Sequence, residues 1–299
     1  MSSQDGVATS VAEKAWTESG QRKHQWHVTV LRNRRLVLGC LLLLGVLLVA
    51  LLAQILATHD PLVLHPRIRL SPPSAEHRFG TDNFGRDLYS RTIYGARLSL
   101  LVGGMVALLA ALAGTGAGLV GGYYPRIDIF LMRIMDGMMA FPGIVLAVGI
   151  MAALGPRVAN VIAALAIVQA PRVVRVVRSV VISLRGMQYV EAARCMGVSD
   201  WRMLLRHILP NCVSPLVVQC TFIFGEAVLG EASLSFLGVG APPEIPSWGI
   251  ILGDARLYIR NAPWMMFLPG TALTVTVLAL NLVGDGIRDW LDPRLRKTL

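Results

Sequence analysis

The residues that could do chemistry are few in this chain of 299 residues, and their spacing matches no catalytic motif. A phosphate-binding P-loop needs Gly-Lys-Ser or Gly-Lys-Thr after a glycine-rich turn, but the only lysines, Lys14, Lys23 and Lys297, do not follow a glycine. No GxSxG occurs, and the histidines, at 24, 27, 59, 65, 77 and 207, show no HExxH or other paired ligand spacing. The sequence therefore predicts no catalytic residue, no metal site and no nucleotide hydrolysis by this polypeptide alone.

Acidic residues inside apolar stretches are the remaining candidates for function. A charge in hydrocarbon is costly, so such a group marks either a pathway for a solute or a pair with another charge. Four residues qualify, namely Asp136, Glu226, Glu231 and Asp285. We expect a structural role for each, such as a salt bridge to a neighbouring arginine or an interfacial position. A pathway role is the alternative, foremost for Glu226, which is the most interior of the four.

The composition excludes a water-soluble protein. Hydrophobic residues make up 54% of the chain and charged residues only 15%, and the mean hydropathy is +0.58, which is too apolar for a soluble domain of this size. The cysteines, at 40, 195, 212 and 220, show no CxxC pairing and are interpreted as packing residues. The net charge of +10 does not indicate a nucleic-acid partner, because the basic residues are dispersed between apolar stretches. The sequence predicts an all-α protein embedded in a lipid bilayer.

Six apolar runs are interpreted as membrane-spanning helices, and the first of them is long enough to cross the ~30 Å of bilayer hydrocarbon. They cover residues 36–57, 98–122, 134–154, 158–171, 212–229 and 264–283. The first run exceeds the ~7 to 15 apolar residues of a secretory signal and follows a long polar leader, so it is interpreted as a membrane span. Pro142 interrupts the third run, and residues 123–133 before it are interpreted as a short turn.

Small and basic residues add detail to two of these spans. Gly114, Gly118 and Gly122 recur at every fourth residue and predict the close approach of another helix. After Pro171, arginines recur at every third residue, and each would cost about 2.5–3.5 kcal/mol at the centre of a bilayer helix. The fourth helix is therefore predicted to leave the lipid near Pro171 and to continue into water. These arginines are Arg172, Arg175 and Arg178.

The polar segments predict how the chain is divided and oriented. The predicted parts are an N-terminal tail (1–35), a first span (36–57), an extracytoplasmic loop (58–97), a five-helix domain (98–286) and a C-terminal tail (287–299). Six spans place both termini on one side, and that side collects 19 of the 28 arginines and lysines. By the positive-inside rule, both termini are predicted to be cytoplasmic. A Gly/Pro-rich segment, 234–261, then falls in an outer loop.

A polar, arginine-bearing segment at 185–211, RGMQYVEAARCMGVSDWRMLLRHILPN, separates two of the apolar runs. Good helix formers precede Gly197, which ends a first helix. Ser199 is placed to cap a second helix, and Asp200 puts negative charge at the positive end of that helix. Another protein can bind a short amphipathic hairpin of this kind from outside the bilayer. A solvated interhelical loop is the alternative.

Each helix of this hairpin has a predicted apolar side. In the first helix that side carries Val190, Ala193 and Met196. In the second helix, predicted at 200–209, it carries Trp201, Leu204, Leu205 and Ile208. Pro210 is expected to stop or kink the second helix.

The hairpin resembles the EAA loop of permeases in importers of the ATP-binding-cassette (ABC) class. The EAA pattern is Glu-Ala-Ala, three residues, Gly, nine residues, Ile, any residue and Leu-Pro. The residues that fall on it here are Glu191, Ala192, Ala193, Gly197, Leu209 and Pro210. The isoleucine position holds His207, with Ile208 one place later. The resemblance implies that residues 185–211 couple the permease to ATPase subunits.

Three further segments resemble the C-type inner-membrane permease of dipeptide, oligopeptide and nickel ABC importers. They are HRFGTDNFGRDLYSRTIYGARLSL (77–100), EASLSFLGVGAPPEIPSWG (231–249) and LNLVGDGIRDWLDPRLR (280–296). The resemblance implies the type I importer permease fold in a bacterial inner membrane. It implies four partners, namely a B-type permease, two ATPase subunits that bind ATP and Mg²⁺, and an extracytoplasmic solute-binding protein. This chain would bind no cofactor itself, and its solute could be a dipeptide, a longer peptide, an opine, a glutathione-like compound or a nickel chelate.

The mechanism that the resemblance implies is mechanical. Closure of the ATPase subunits would push on residues 191–200, and the flanking helices would carry the displacement to the membrane spans. Trp201 is expected to pack the hairpin against the permease, leaving Ala192, Ala193 and Gly197 small enough for a groove in the partner. An ATP-independent transporter or channel is the main alternative, but the inverted repeats typical of many such transporters are not evident.

Overall fold

Long helices make up most of the molecule. The structure, a computed structural model, describes residues 33–291. Among these residues there is no strand, and the only extended pairing is an isolated bridge between Thr81 and Asp87. The predicted all-α class is confirmed. The helices are α1 (Arg34–Leu51), α2 (Ala53–Leu56), α3 (Leu88–Tyr123), α4 (Pro125–Met139), α5 (Gly143–Leu154), α6 (Val158–Arg185), α7 (Gln188–Cys195), α8 (Asp200–Phe236), α9 (Trp248–Ala255) and α10 (Trp264–Leu291).

Five of these helices are long and apolar enough to cross a membrane, namely α1, α3, α6, α8 and α10. The pair α4 and α5 is bent by 93° and makes a sixth span when it is counted as one. The predicted six spans agree with this count. The predicted tails, 1–35 and 287–299, fall largely outside the described residues.

The bent pair corrects the prediction of a short turn at 123–133, which was wrong. Residues 125–139 are helical, and only Tyr124 separates them from α3. Pro125 stands in the first turn of α4, where its missing N–H is not needed and its fixed φ favours the helix. The break lies between Met139 and Gly143 and includes Pro142, which immediately precedes α5.

Capping residues fix the starts of two helices. Helix α3 begins at Leu88, well before the predicted start at residue 98, because the Asp87 carboxylate accepts a hydrogen bond from the Ser90 N–H at 2.8 Å. The predicted boundary at 98 thus falls inside a helix. In the predicted outer loop, Ser247 caps α9 by accepting from the Ile250 N–H at 3.2 Å.

The most extensive helix packing is the seam between α3 and α6. A Cβ atom added at any of three glycines of α3 would lie less than 3 Å from a valine Cβ of α6. The pairs are Gly114 with Val173, Gly118 with Val177, and Gly122 with Val181. The predicted close approach is confirmed, and it arises because glycine lets the two backbones come together where lipid gives helices little hydrophobic reason to associate.

The segments 57–87 and 237–263, together called the loop end, are joined by a cluster of charges that is largely buried. The Asp82 carboxylate accepts from Arg86 Nε at 2.6 Å and lies 3.4 Å from Arg91 Nε. Arg86 also lies 3.5 Å from Asp254 of α9. Burial raises the pKa of Asp254, and the nearby arginines act in the opposite direction. The loop end therefore packs as one unit over the start of α3.

We predict that Gly114→Ala destabilises the chain, since its new methyl group would overlap Val173 and overpacking costs about 1–3 kcal/mol. Gly116→Ala is the matched control, because a Cβ there would meet no described atom within 4 Å. Because alanine favours a helix over glycine by about 1 kcal/mol, the control substitution should not lower the stability. Thermal unfolding of the purified chain in detergent should show a lower Tm for the first variant only. Equal Tm values would contradict the seam.

Candidate functional site

The first helix of the predicted hairpin, α7, is anchored to the bundle by its apolar side. Val190 and Ala193 are buried in the main hydrophobic core, as their spacing predicts. Met196 is not buried with them and is 78% exposed, because it stands at the C-cap, where the helix has already ended. Glu191 lies in the first turn of α7, where its charge complements the positive end of the helix.

Gly197 ends α7 in a Schellman motif. The Gly197 N–H donates to the Arg194 carbonyl at 3.0 Å, and the Val198 N–H donates to the Ala193 carbonyl at 3.2 Å. The φ of Gly197 is +77°, in the left-handed region that favours glycine. The space around its Cα is open, with no described atom within 4 Å of an added Cβ. Backbone conformation, and not crowding within this chain, therefore requires glycine here.

The second helix differs from its prediction in three ways. Ser199 has the extended backbone of an N-cap, but its side chain accepts no cap hydrogen bond. Residues 203–208 form a π turn, in which the Leu209 N–H bonds to the Leu204 carbonyl. Pro210 does not stop the helix, since it stands in the first turn of the α segment that follows, where no N–H is needed. Asn211 Nδ2 donates to the His207 carbonyl at 2.9 Å.

The wide π turn changes which side chains face inward. Met203, Leu204 and Ile208 are buried, whereas Leu205 is exposed and Trp201 is 68% exposed. The expectation that Trp201 packs the hairpin against the rest of the chain was wrong. Wider turns rotate successive side chains away from the 3.6-residue period on which the predicted apolar side rested.

Asp200 ties the hairpin to the end of α3. Its carboxylate oxygens accept from the Tyr123 hydroxyl at 2.8 Å and the Tyr124 hydroxyl at 2.9 Å. Arg194 of α7 donates to the Tyr123 hydroxyl at 3.3 Å and lies over the Tyr123 ring. The hydrogen bond to Asp200 raises the pKa of Tyr124, and the bond to Tyr123 raises the pKa of Arg194. We call Asp200, Tyr123, Tyr124 and Arg194 the tyrosine junction.

The outward side of the hairpin combines an acid with apolar side chains. Glu191 and Ala192 are exposed in the middle of α7. Large apolar side chains of the same hairpin are also exposed, namely Met187, Tyr189, Met196 and Trp201. We call these six residues the docking face. Several large apolar side chains exposed on one short hairpin favour a surface that another protein covers.

Two of the predicted intramembrane acids meet the regularly spaced arginines of α6. Glu226 of α8 pairs with Arg172 and accepts from Gln169 Nε2 at 3.0 Å. Asp136 of α4 pairs with Arg175 at 2.6 Å. The side chains of both pairs are about half exposed within this chain.

The other two acids are placed differently. Glu231 is fully buried and accepts from the Ser99 hydroxyl at 3.1 Å and the Ser235 hydroxyl at 2.8 Å. Asp285 is half-buried on α10, next to Gly286, whose carbonyl accepts from Asn33.

Sequence reasoning missed Asp128 and the two tyrosines. Asp128 of α4 makes a bidentate ion pair with Arg178, with 2.6 Å between Arg178 Nη2 and Asp128 Oδ2. The spacing of the arginines could have indicated it, because a third arginine on the same face needs a third acid. Tyr123 and Tyr124 carried no such signal, since only the fold brings them to Asp200.

Comparison with known families accords with this geometry. The profile of the binding-protein-dependent transport system inner membrane component matches residues 99–297. The chain belongs to this family. It is a permease subunit of an ABC importer and a multi-pass protein of the inner membrane, and its likeness to C-type peptide permeases is confirmed.

Proteins with similar sequences are named as transport system permeases. A protein of Brucella abortus, provisionally named a peptide transport system permease, is 51% identical over 89% of this chain and 90% of its own length. A dipeptide transport system permease of Alkalihalophilus pseudofirmus is 45% identical over 89% of this chain and 88% of its own. A glutathione transport system permease of Pectobacterium atrosepticum is 41% identical, covering 94% and 92%.

A solved structure shares the fold. The methionine ABC transporter MetNI, in inward facing conformations, matches with a TM-score of 0.56 at 19% identity. The match covers 67% of this chain and 96% of the MetNI chain. At this identity the likeness shows the fold alone, and it agrees with the predicted type I importer permease fold.

Proposed function

We propose that this permease takes up peptides or related small solutes, and that its hairpin couples the uptake to ATP hydrolysis on partner subunits. The observation that carries the proposal is that the two sides of the hairpin differ, one being attached to the bundle and the other exposed. Its inner side is fixed to the bundle by Val190, Ala193 and the tyrosine junction, and its outer side is the docking face. A lever needs both a rigid attachment and a surface on which force can act.

Four partners follow from this proposal. Two ATPase subunits carry ATP and Mg²⁺ and bind the docking face, which therefore lies in the cytoplasm together with both termini. A B-type permease forms a heterodimer with this chain, and a solute-binding protein docks at the loop end, including the PPEIPSWG segment. The excess of basic residues on the side of the termini supports this orientation. This chain itself hydrolyses no nucleotide and binds no nucleotide cofactor.

The paired charges of α4, α6 and α8 line the solute pathway in this proposal. Arg172 with Glu226 and Arg175 with Asp136 are about half exposed within this chain, and charged side chains rarely face lipid. The face that carries them is thus covered by the B-type permease or by water. A row of paired charges also suits a zwitterionic peptide, whose termini carry one charge of each sign. The names of the relatives, which include dipeptide and glutathione transport, support a peptide-like solute.

We predict that Gly197→Val uncouples the importer. Valine is strained at a φ of +77°, and a left-handed residue costs roughly 1–2 kcal/mol, so α7 should shift while the bundle stays folded. Uptake of the solute carried by the importer's own binding protein should fall severalfold in proteoliposomes, while ATP hydrolysis persists. Gly197→Asn, which tolerates this conformation, should retain most uptake.

The matched control is Gly155→Val, between α5 and α6. Gly155 has a φ of +83° and similar open space, so the variant carries backbone strain away from both the hairpin and the loop end. Uptake should survive there. Normal uptake by Gly197→Val, or an equal loss in both variants, would count against coupling through the hairpin.

A second prediction concerns Glu226. Glu226→Gln should lower uptake severalfold while the subunits still assemble, because Arg172 would then present an uncompensated charge in the pathway. The double variant Arg172→Gln/Glu226→Gln restores the charge balance. Recovery of uptake in the double variant would indicate that the pair is only structural, and normal uptake by Glu226→Gln would exclude a pathway role.

A further inference from the structure

Two histidines and a glutamate meet at the loop end, just before α3. His59, Glu76 and His77 each offer one ligand atom, and these atoms lie within 4.8 Å of one another. The two imidazole rings have centroids 4.6 Å apart. Imidazole nitrogen and carboxylate oxygen are ligands that Zn²⁺ takes in proteins. We propose that these three residues bind a divalent first-row transition ion, for which Zn²⁺ is the natural probe.

One ring nitrogen of His77 is already held by a carboxylate, which leaves the other for an ion. His77 Nδ1 lies 2.9 Å from Asp87 Oδ1, and both residues are buried. An ionised carboxylate only accepts hydrogen bonds, so Nδ1 carries the proton and Nε2 keeps its lone pair free for an ion. A carboxylate behind the histidine is the arrangement that fixes the ring in many metal sites. Asp87 is held in turn by the Ser90 N–H at 2.8 Å and the Thr58 hydroxyl at 3.4 Å.

The other two ligands can close on the ion. Ligand atoms around a tetrahedral Zn²⁺ lie roughly 3.3–3.6 Å apart, given bonds of about 2.0–2.2 Å, so the site must contract by little more than about 1 Å. Glu76 is exposed, and the His59 side chain is 33% exposed. Both can rotate without disturbing the core. The fourth position would be taken by water, as in sites that are open to solvent.

An ion at this site would cross-link the two ends of the loop that joins the first span to the rest of the bundle. His59 follows α2, whereas His77 contacts the residue that caps α3. The sequence holds no cysteine between residues 41 and 194, so no disulfide can do this within the loop. The spacing of His59 and His77 gave no sign of a site, because the intervening residues must fold back before the ligands meet.

The test is a zinc titration of the full chain, purified with a tag that contains no histidine and measured in competition with a fluorescent chelator. We expect one Zn²⁺ per chain. His59→Ala and His77→Asn should each weaken binding tenfold or more, and Glu76→Gln should weaken it less. Asparagine keeps an N–H donor near the position of Nδ1, so the bond to Asp87 and the cap of α3 can survive. Unchanged Tm values would establish that the variants fold.

His65→Ala is the matched control, since His65 is an exposed histidine of the same loop that is not among the three ligands. It should bind Zn²⁺ as the unaltered chain does. The proposal is overturned if no stoichiometric Zn²⁺ is bound, if either folded histidine variant binds normally, or if His65→Ala weakens binding equally. None of these measurements involves transport, so the result does not depend on the proposed coupling function.

Discussion

The tyrosine junction is the interaction on which the rest of the account depends. Through it, Asp200 at the start of α8 and Arg194 near the end of α7 are both held to the last residues of α3. Helix α3 is in turn packed backbone to backbone against α6 along the seam of glycines and valines. In the proposed coupling, a force applied to the docking face would reach three membrane helices, α3, α6 and α8, through these short contacts.

Pairing with carboxylates accounts for the placement of the arginines on α6. Each arginine at the three-residue spacing of α6 meets a carboxylate on a neighbouring helix, so Arg172, Arg175 and Arg178 are neutralised by Glu226, Asp136 and Asp128. Pairing lowers the cost of these charges, but two of the pairs stay half exposed within this chain. In the proposed importer, this half-exposed face is covered by the B-type permease or by water.

The membrane spans and the EAA motif were predictable because each is a local property of the sequence. Hydropathy indicates the spans directly, and Gly197 marks the end of α7. The π turn at 203–208, the exposure of Trp201 and the helix at 125–139 were not predictable in this way, since they depend on how tertiary contacts select among similar local conformations. The tyrosine junction and the meeting of His59 with His77 depend on residues far apart in sequence, which no spacing rule connects. The predicted domain boundaries and the roles of the site residues stay predictions.

The most direct test of the central claim uses Cys195, an exposed cysteine of α7. In the assembled importer with Cys40→Ser, which removes the other exposed cysteine, a reagent that reacts with a thiol at one end and is photoactivated at the other should link Cys195 to an ATPase subunit. Cys195→Ser should abolish the product. Reaction of Cys195 in intact cells with a membrane-impermeant thiol reagent, and no link to an ATPase subunit, would contradict the account.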